Sequence, residues 1–114
     1  MKLVIAIIQP PKLHAVREAL KKIAVTRMTI CDAQGFARQR AWTERPRDPR
    51  EPKVLRKVAL EILVNDDFLE RTVETIVNVA RTGPEGSIGD GKIFVVPAEE
   101  AVQVSDGGRG PGSV

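Results

Sequence analysis

One cysteine, one histidine and no tyrosine stand among 114 residues, and each shortage removes a class of function. A lone Cys31 cannot build an intrachain disulfide framework. With His14 as the only imidazole, there is no ligand cluster for a metal and no evident nucleophile–base pair for catalysis. Glu61, Asp90 and Lys92 could at most support slow phosphoanhydride cleavage, far below ordinary enzyme rates. An aromatic content of 4% leaves little for nucleic-acid bases to stack on. No apolar run approaches the roughly 18 residues of a membrane-spanning helix. Residues 3–8 imitate the start of a signal peptide, but Gln9-Pro10-Pro11 ends the run and no small-residue cleavage site follows. The expected location is the cytoplasm, with no membrane insertion.

What is present reads as one globular domain of ordinary composition, with a formal charge of +3 whose excess lies between Arg38 and Lys57. Residues 3–8 form a continuous apolar, β-branched run, the pattern of a strand buried on both faces. Leu13, Val16, Leu20 and Ile23 then recur at helical spacing, with His14 read as a surface residue of that helix. A strand is expected at 28–36, a long loop at 38–55 and a strand at 57–64. Asn65, Asp66 and Asp67 offer the start of a second helix, whose stripe is Leu69, Val73, Ile76, Val77 and Ala80. Residues 93–96 are a last main strand, with a short addition at 102–104.

The order strand, helix, strand, repeated once, predicts an α+β ferredoxin-like βαββαβ sandwich with both helices on one face of a four-stranded sheet. Its strands carry apolar residues on both faces, so a second copy of the chain is expected to cover the open face.

Residues 83–92 read Gly-Pro-Glu-Gly-Ser-Ile-Gly-Asp-Gly-Lys. Closely spaced glycines let backbone N–H groups converge on an anion, and Lys92 adds a positive charge, so the segment suits a phosphate. It is not a Walker loop. Ile93 stands where Ser or Thr must hold magnesium, and the segment leaves a helix and opens a strand, the reverse of the Walker context. A plain turn between helix and strand is the simpler alternative.

The long loop holds prolines at 46, 49 and 52, a spacing that aligns them along one edge of a polyproline II helix. Its arginines alternate with Asp48 and Glu51 and only Trp42 is available for stacking, which disfavours nucleic acid. Docking on a partner protein and solvated disorder both remain open.

Four blocks in this order, Ile5-Ala6-Ile7-Ile8-Gln9-Pro10, Gly35-Phe36-Ala37-Arg38-Gln39, Lys57-Val58 with Glu61, and Thr82-Gly83 with Ile88-Gly89-Asp90-Gly91-Lys92-Ile93-Phe94-Val95, resemble the PII signal-transduction proteins over residues 1 to about 97. The resemblance implies a ferredoxin-like homotrimer with adenine nucleotides in clefts between subunits. It makes residues 38–55 a T-loop that docks on a target transporter, enzyme or regulator, with Trp42, Arg45, Arg47 and Arg50 as candidate contacts. It makes residues 82–92 a B-loop around the phosphates, and leaves 98–114 as a C-terminal segment with a flexible Gly-rich tail. Ile7, Thr29 and Leu63 would sit near the adenosine. Gly35, Phe36, Ala37, Arg38 and Gln39 would border the phosphates, and Ile88, Gly89, Asp90, Gly91 and Lys92 would grip them. Lys57 and Gln39 would take 2-oxoglutarate or another anionic effector, and Gln39 would help place Mg2+ on the nucleotide.

The chain departs from that pattern in ways that matter. Pro84, Glu85, Gly86 and Ser87 replace a single residue, Ala37 replaces a glycine, and the absence of tyrosine excludes nucleotidylation of the T-loop. Gln103 and Ser105 stand where the family has two arginines that reach the phosphates. A charge-assisted contact is worth about 1.5–3 kcal/mol, so their loss points to ADP or AMP being favoured over ATP. Arg109 is a candidate to replace one of them, from a Gly-rich segment expected to be too flexible to preorganise it. A sensor of bicarbonate and adenylate charge is the alternative within the class, and a slow ATP- or ADP-hydrolysing enzyme the alternative outside it. Self-association is expected to show in gel filtration as elution above the 12.5 kDa monomer, and elution at monomer mass overturns it.

Overall fold

An unbroken apolar run has no polar face to turn to water, so residues 3–8 require neighbours on both sides. The computed structural model describes residues 1–37 and 53–114 and supplies those neighbours. Strand β1 (Lys2–Ile8) lies between β3 (Lys53–Val64) and β4 (Gly91–Pro97), and β2 (Thr29–Ala37) pairs with the other side of β3. All three pairings are antiparallel, in the order β2-β3-β1-β4. Helices α1 (Leu13–Lys22) and α2 (Asp66–Ala80) join β1 to β2 and β3 to β4. This is the ferredoxin-like α+β arrangement that the repeated strand-helix-strand order demands. No helix among the described residues is long and apolar enough to cross a membrane.

The pleat sends Val4, Ala6 and Ile8 of β1 and Val58, Leu60, Ile62 and Val64 of β3 to one face. There Val16 and Leu20 of α1 and Ile76 and Ala80 of α2 complete one buried cluster. On the other face Leu3, Ile5, Ile7 and Leu63 are half-buried, while Phe94 and Val96 of β4 remain 46% and 41% exposed.

Two elements differ from the sequence expectation. β3 begins at Lys53 rather than Lys57, because β2 runs to Ala37 and the register pairs Ala37 with Lys53 and Gly35 with Leu55. Pairing with a partner, not the charged local sequence, makes residues 53–56 a strand. In α2 the stripe is rotated: Thr72, Ile76 and Ala80 are buried, whereas Val73 is half-buried and Val77 is 37% exposed. Thr72 is fully buried with its hydroxyl unpaired among the described residues. The start of α2 is as expected, with Asn65 at the N-cap and Asp66 and Asp67 in the first turn, although the Asn65 side chain makes no capping bond.

Helix α1 closes in a Schellman motif. The N–H of Val25 donates to the Leu20 carbonyl at 2.9 Å and that of Ala24 to Lys21 at 3.0 Å. The motif forces Ala24 to φ 66, a left-handed conformation disfavoured for a residue with a Cβ. Ala24→Gly is expected to raise unfolding stability by about 1 kcal/mol, read as a higher urea midpoint with unchanged slope. An unchanged or lower midpoint overturns the reading.

Candidate functional site

Helix α2 stops at Ala80 because Arg81 turns to extended backbone (φ −68, ψ 142). The chain then has ten residues before Gly91 begins β4. Those ten are folded around one side chain. Oδ2 of Asp90 accepts the backbone N–H groups of Thr82 at 2.9 Å and Ser87 at 2.8 Å, and Oδ1 accepts the Thr82 hydroxyl at 2.6 Å. The backbone N–H of Asp90 donates to the Ser87 carbonyl at 3.1 Å. The Thr82 hydroxyl, then the N–H groups of Thr82 and Ser87, hold the Asp90 carboxyl down from 3.8 to about 2. Its side chain and its N–H are both engaged inside the loop, so Asp90 shapes the segment from within.

The Gly89 carbonyl is fixed from the sheet side. It accepts Nε2 of Gln9, just beyond β1, at 3.2 Å, and it accepts Nζ of Lys57 on β3. The same Gln9 nitrogen stands 3.5 Å from Oδ1 of Asp90, at the limit of a hydrogen bond. Gly91 must be glycine for two reasons. Its φ is 131, and a Cβ there would lie 1.9 Å from the carbonyl oxygen of Ile7.

An open cleft of about 600 Å³ runs from this loop along α2 and β4. Val73, Val77, Ile93 and Val95 give it apolar walls; Arg81, Glu85, Ser87 and Lys92 give it a polar end. Of the residues expected at the site, Ile7, Ile88, Asp90, Gly91 and Lys92 line this cleft, and Ile88 is 90% exposed. Ile7 and Lys92 are cross-strand partners. Gly35 packs near Lys57, its Cβ position 3.9 Å from the Lys57 Cγ, and Phe36 next to it is 67% exposed.

Thr29 and Leu63 are not brought to the loop within one chain. Thr29 is level with Glu61 and Ile5, and Leu63 with Leu3. At about 3.3 Å per residue, Leu63 lies roughly 13 Å along the sheet from the level of Ile7. The side chain of Ala37, and all of Arg38, Gln39, Trp42, Arg45, Arg47 and Arg50, fall outside the described residues. No group of three or more His, Cys, Asp or Glu that could hold a metal occurs among the described residues.

Sequence reasoning noted Glu85 and Ser87 only as part of a longer loop and Gln9 only within a block of resemblance, and passed over Arg81. The valines of α2 carried a usable signal, since Val73 and Val77 are four apart and share a helix face that leads to Arg81 just past its end. Nothing local marks Gln9. In the C-terminal segment the Gln103 N–H donates to the Gly108 carbonyl at 2.8 Å and the Gly107 N–H to Gln103 at 2.8 Å, closing a turn around one Val102–Arg109 bridge. The short strand expected at 102–104 is this single bridge. Arg109 donates to Glu100 at 2.8 and 3.1 Å, so its guanidinium is already paired.

Because the Asp90 pKa falls on folding, its contribution to stability is full above about 4 and is lost as pH falls toward about 2. Asp90→Asn is expected to lower the urea midpoint at neutral pH, with the gap to the parent chain closing across that acid window. A gap that does not change with pH shows that the carboxylate charge is not its cause.

The chain matches the family described as "Nitrogen regulatory protein P-II" over residues 1–108. It is 40% identical over 115 residues to the nitrogen regulatory protein GlnK1 of Methanosarcina mazei, covering 100% of this chain and 97% of that one. It is 42% identical over 111 residues to nitrogen regulatory protein P-II of Azospirillum brasilense, with 96% of each chain covered. It is 43% identical over 108 residues to nitrogen regulatory protein P-II 1 of Escherichia coli K12, with 94% of each covered. These relatives are named as regulators, in keeping with the expectation of a protein that is not an enzyme. A match across almost the whole length, together with the fold and the loop at residues 82–92, places this chain in the nitrogen regulatory P-II family.

Proposed function

We propose that this chain is a trimeric sensor of adenine nucleotides that reports to a partner protein through residues 38–55. The observation that carries the reading is the construction of the loop at 82–90. Asp90 satisfies the inward donors, while among the described residues no acceptor is bonded to the N–H groups of Gly86, Ile88 and Gly89. N–H groups without an acceptor, in a loop that shares its cleft with Lys92, suit phosphate oxygens. In this reading Lys92 and the N–H groups of Ile88 and Gly89 hold the phosphates, with Ile7 near the adenosine and Gly35, Phe36 and Ala37 at the border. Arg38 and Gln39 complete that border, and Gln39 helps place Mg2+.

Thr29 and Leu63 serve the adenosine from a neighbouring copy, because within one chain Thr29 lies on the edge strand opposite β4 and Leu63 near the far end of β3. The half-buried row of Leu3, Ile5 and Ile7 beside exposed Phe94 and Val96 gives that neighbour an apolar face to cover. Lys57 and Gln39 receive an anionic effector. Trp42, Arg45, Arg47 and Arg50 meet the partner, and a cytoplasmic location is in keeping with this reading.

ADP or AMP is favoured over ATP. Gln103 and Ser105 supply no charge, Arg109 is held by Glu100, and Glu85 adds negative charge at the polar end of the cleft. Each additional phosphate therefore meets less compensation.

Calorimetric titration with ADP, AMP and ATP, each with and without 2-oxoglutarate and bicarbonate, tests the reading. ADP is expected to bind at least as tightly as ATP, and Lys92→Ala to weaken it about tenfold or more. Tighter ATP with strong 2-oxoglutarate synergy overturns the nucleotide preference. Absence of any adenine-nucleotide binding overturns the function. A response to bicarbonate alone identifies the effector as inorganic.

A further inference from the structure

We propose that Gln9 is a positioning residue for the anion cradle: its side-chain amide keeps the Gly89 carbonyl turned away from the N–H groups that receive phosphate. This rests on the nucleotide reading above and assigns a role to a residue at the end of β1.

A glycine-rich segment presents carbonyls as readily as N–H groups, and a carbonyl oxygen facing the cradle would repel a phosphate. At Gly89, where φ is 99, the backbone is in a conformation from which either group could be displayed. Two donors far away in sequence decide the matter. Nε2 of Gln9 lies 3.2 Å from the Gly89 oxygen, and Nζ of Lys57 bonds the same atom. A carbonyl oxygen offers two lone pairs, so both are occupied. The other end of the same peptide unit is also held, by the Asp90 N–H on the Ser87 carbonyl at 3.1 Å. With that peptide plane held at both ends, the Gly89 carbonyl is occupied, and the preceding N–H groups of Ile88 and Gly89 bond no acceptor among the described residues.

The two donors are not equivalent. Lys57 is charged, half-buried and close to the foot of residues 38–52. An anion bound there draws its ammonium off the carbonyl. Gln9 is neutral and no anion competes for it by charge. The loop therefore keeps its orientation while Lys57 exchanges a carbonyl for an effector, and Gln9 makes that exchange compatible with a nucleotide already in place.

The test uses the full chain and calorimetry with ADP and with adenosine, which lacks phosphate. Gln9→Leu keeps bulk and removes the donor; Gln9→Lys restores a donor with a different side chain. Gln9→Leu is expected to weaken ADP on the order of fivefold to tenfold and to leave adenosine unchanged. Gln9→Lys is expected to recover most of the ADP affinity, which a merely structural role for Gln9 would not give. ADP affinity unchanged in Gln9→Leu, or ADP and adenosine weakened in equal proportion in both variants, overturns the proposal while the nucleotide reading stands. Failure of the parent chain to bind ADP overturns both.

Discussion

Three donors that would otherwise need water converge on the carboxylate of Asp90, and the site depends on that convergence. Residues 82–90 belong to neither helix nor strand, so their backbone groups find no ladder to join. A single side chain takes the place of a ladder by accepting from Thr82 twice and Ser87 once, while its own N–H closes back on Ser87. A loop with this many glycines has high conformational entropy in the unfolded chain. Charge-assisted hydrogen bonds, individually stronger than neutral ones, offset enough of it to give one shape. The negative charge that accomplishes this is shielded by its own donors. It therefore does not act as a bare repulsive centre towards an anion nearby.

The position of the loop comes from the sheet. Ile8 faces Gly91 across the β1–β4 ladder, and the chain turns at Gln9 immediately beyond. The amide of Gln9 is thus delivered to the root of the loop by the same register that buries Ile8. A slip of one residue would turn Val4, Ala6 and Ile8 out of the core, so the core itself specifies where Gln9 stands. Gly91 allows the close crossing, since a Cβ there would collide with the Ile7 carbonyl.

Most of the fold was legible because its signals are local. The apolar run of β1 and the 3.6-residue stripe of α1 each identify an element without reference to a partner. The errors occur where a partner decides. Residues 53–56 have no strand pattern of their own and become strand by pairing with β2, and Val73 and Val77 leave the core stripe because α2 also has to wall the cleft beside β4. At the site, glycine spacing and Lys92 drew attention to the segment at 82–92, and the structure folds it as a loop at the end of the cleft. The roles inside it were not readable. Whether Asp90 points at a ligand or at Thr82 and Ser87 depends on backbone geometry that the order of residues does not disclose. Gln9 lies 80 residues from the carbonyl it holds.

The same arrangement bears on how a signal could pass between loops. Lys57 belongs to β3, whose first residues continue from the long loop, and its ammonium rests on the carbonyl of Gly89. Gly35, on the strand that enters that loop, leaves room beside the Lys57 stem, since a Cβ added there would lie 3.9 Å from the Lys57 Cγ. Lys57 therefore links β3 to the loop at 82–90 through the Gly89 carbonyl, and it lies opposite Ala33 of β2 in the ladder. A ligand that drew the Lys57 ammonium aside would remove one of the two donors that support the Gly89 carbonyl. This meets the physical requirement for coupling, because the ligand has different contacts in the two arrangements. Gln9 bonds the same carbonyl independently of Lys57, so the Gly89 oxygen has a second donor that does not depend on the ammonium.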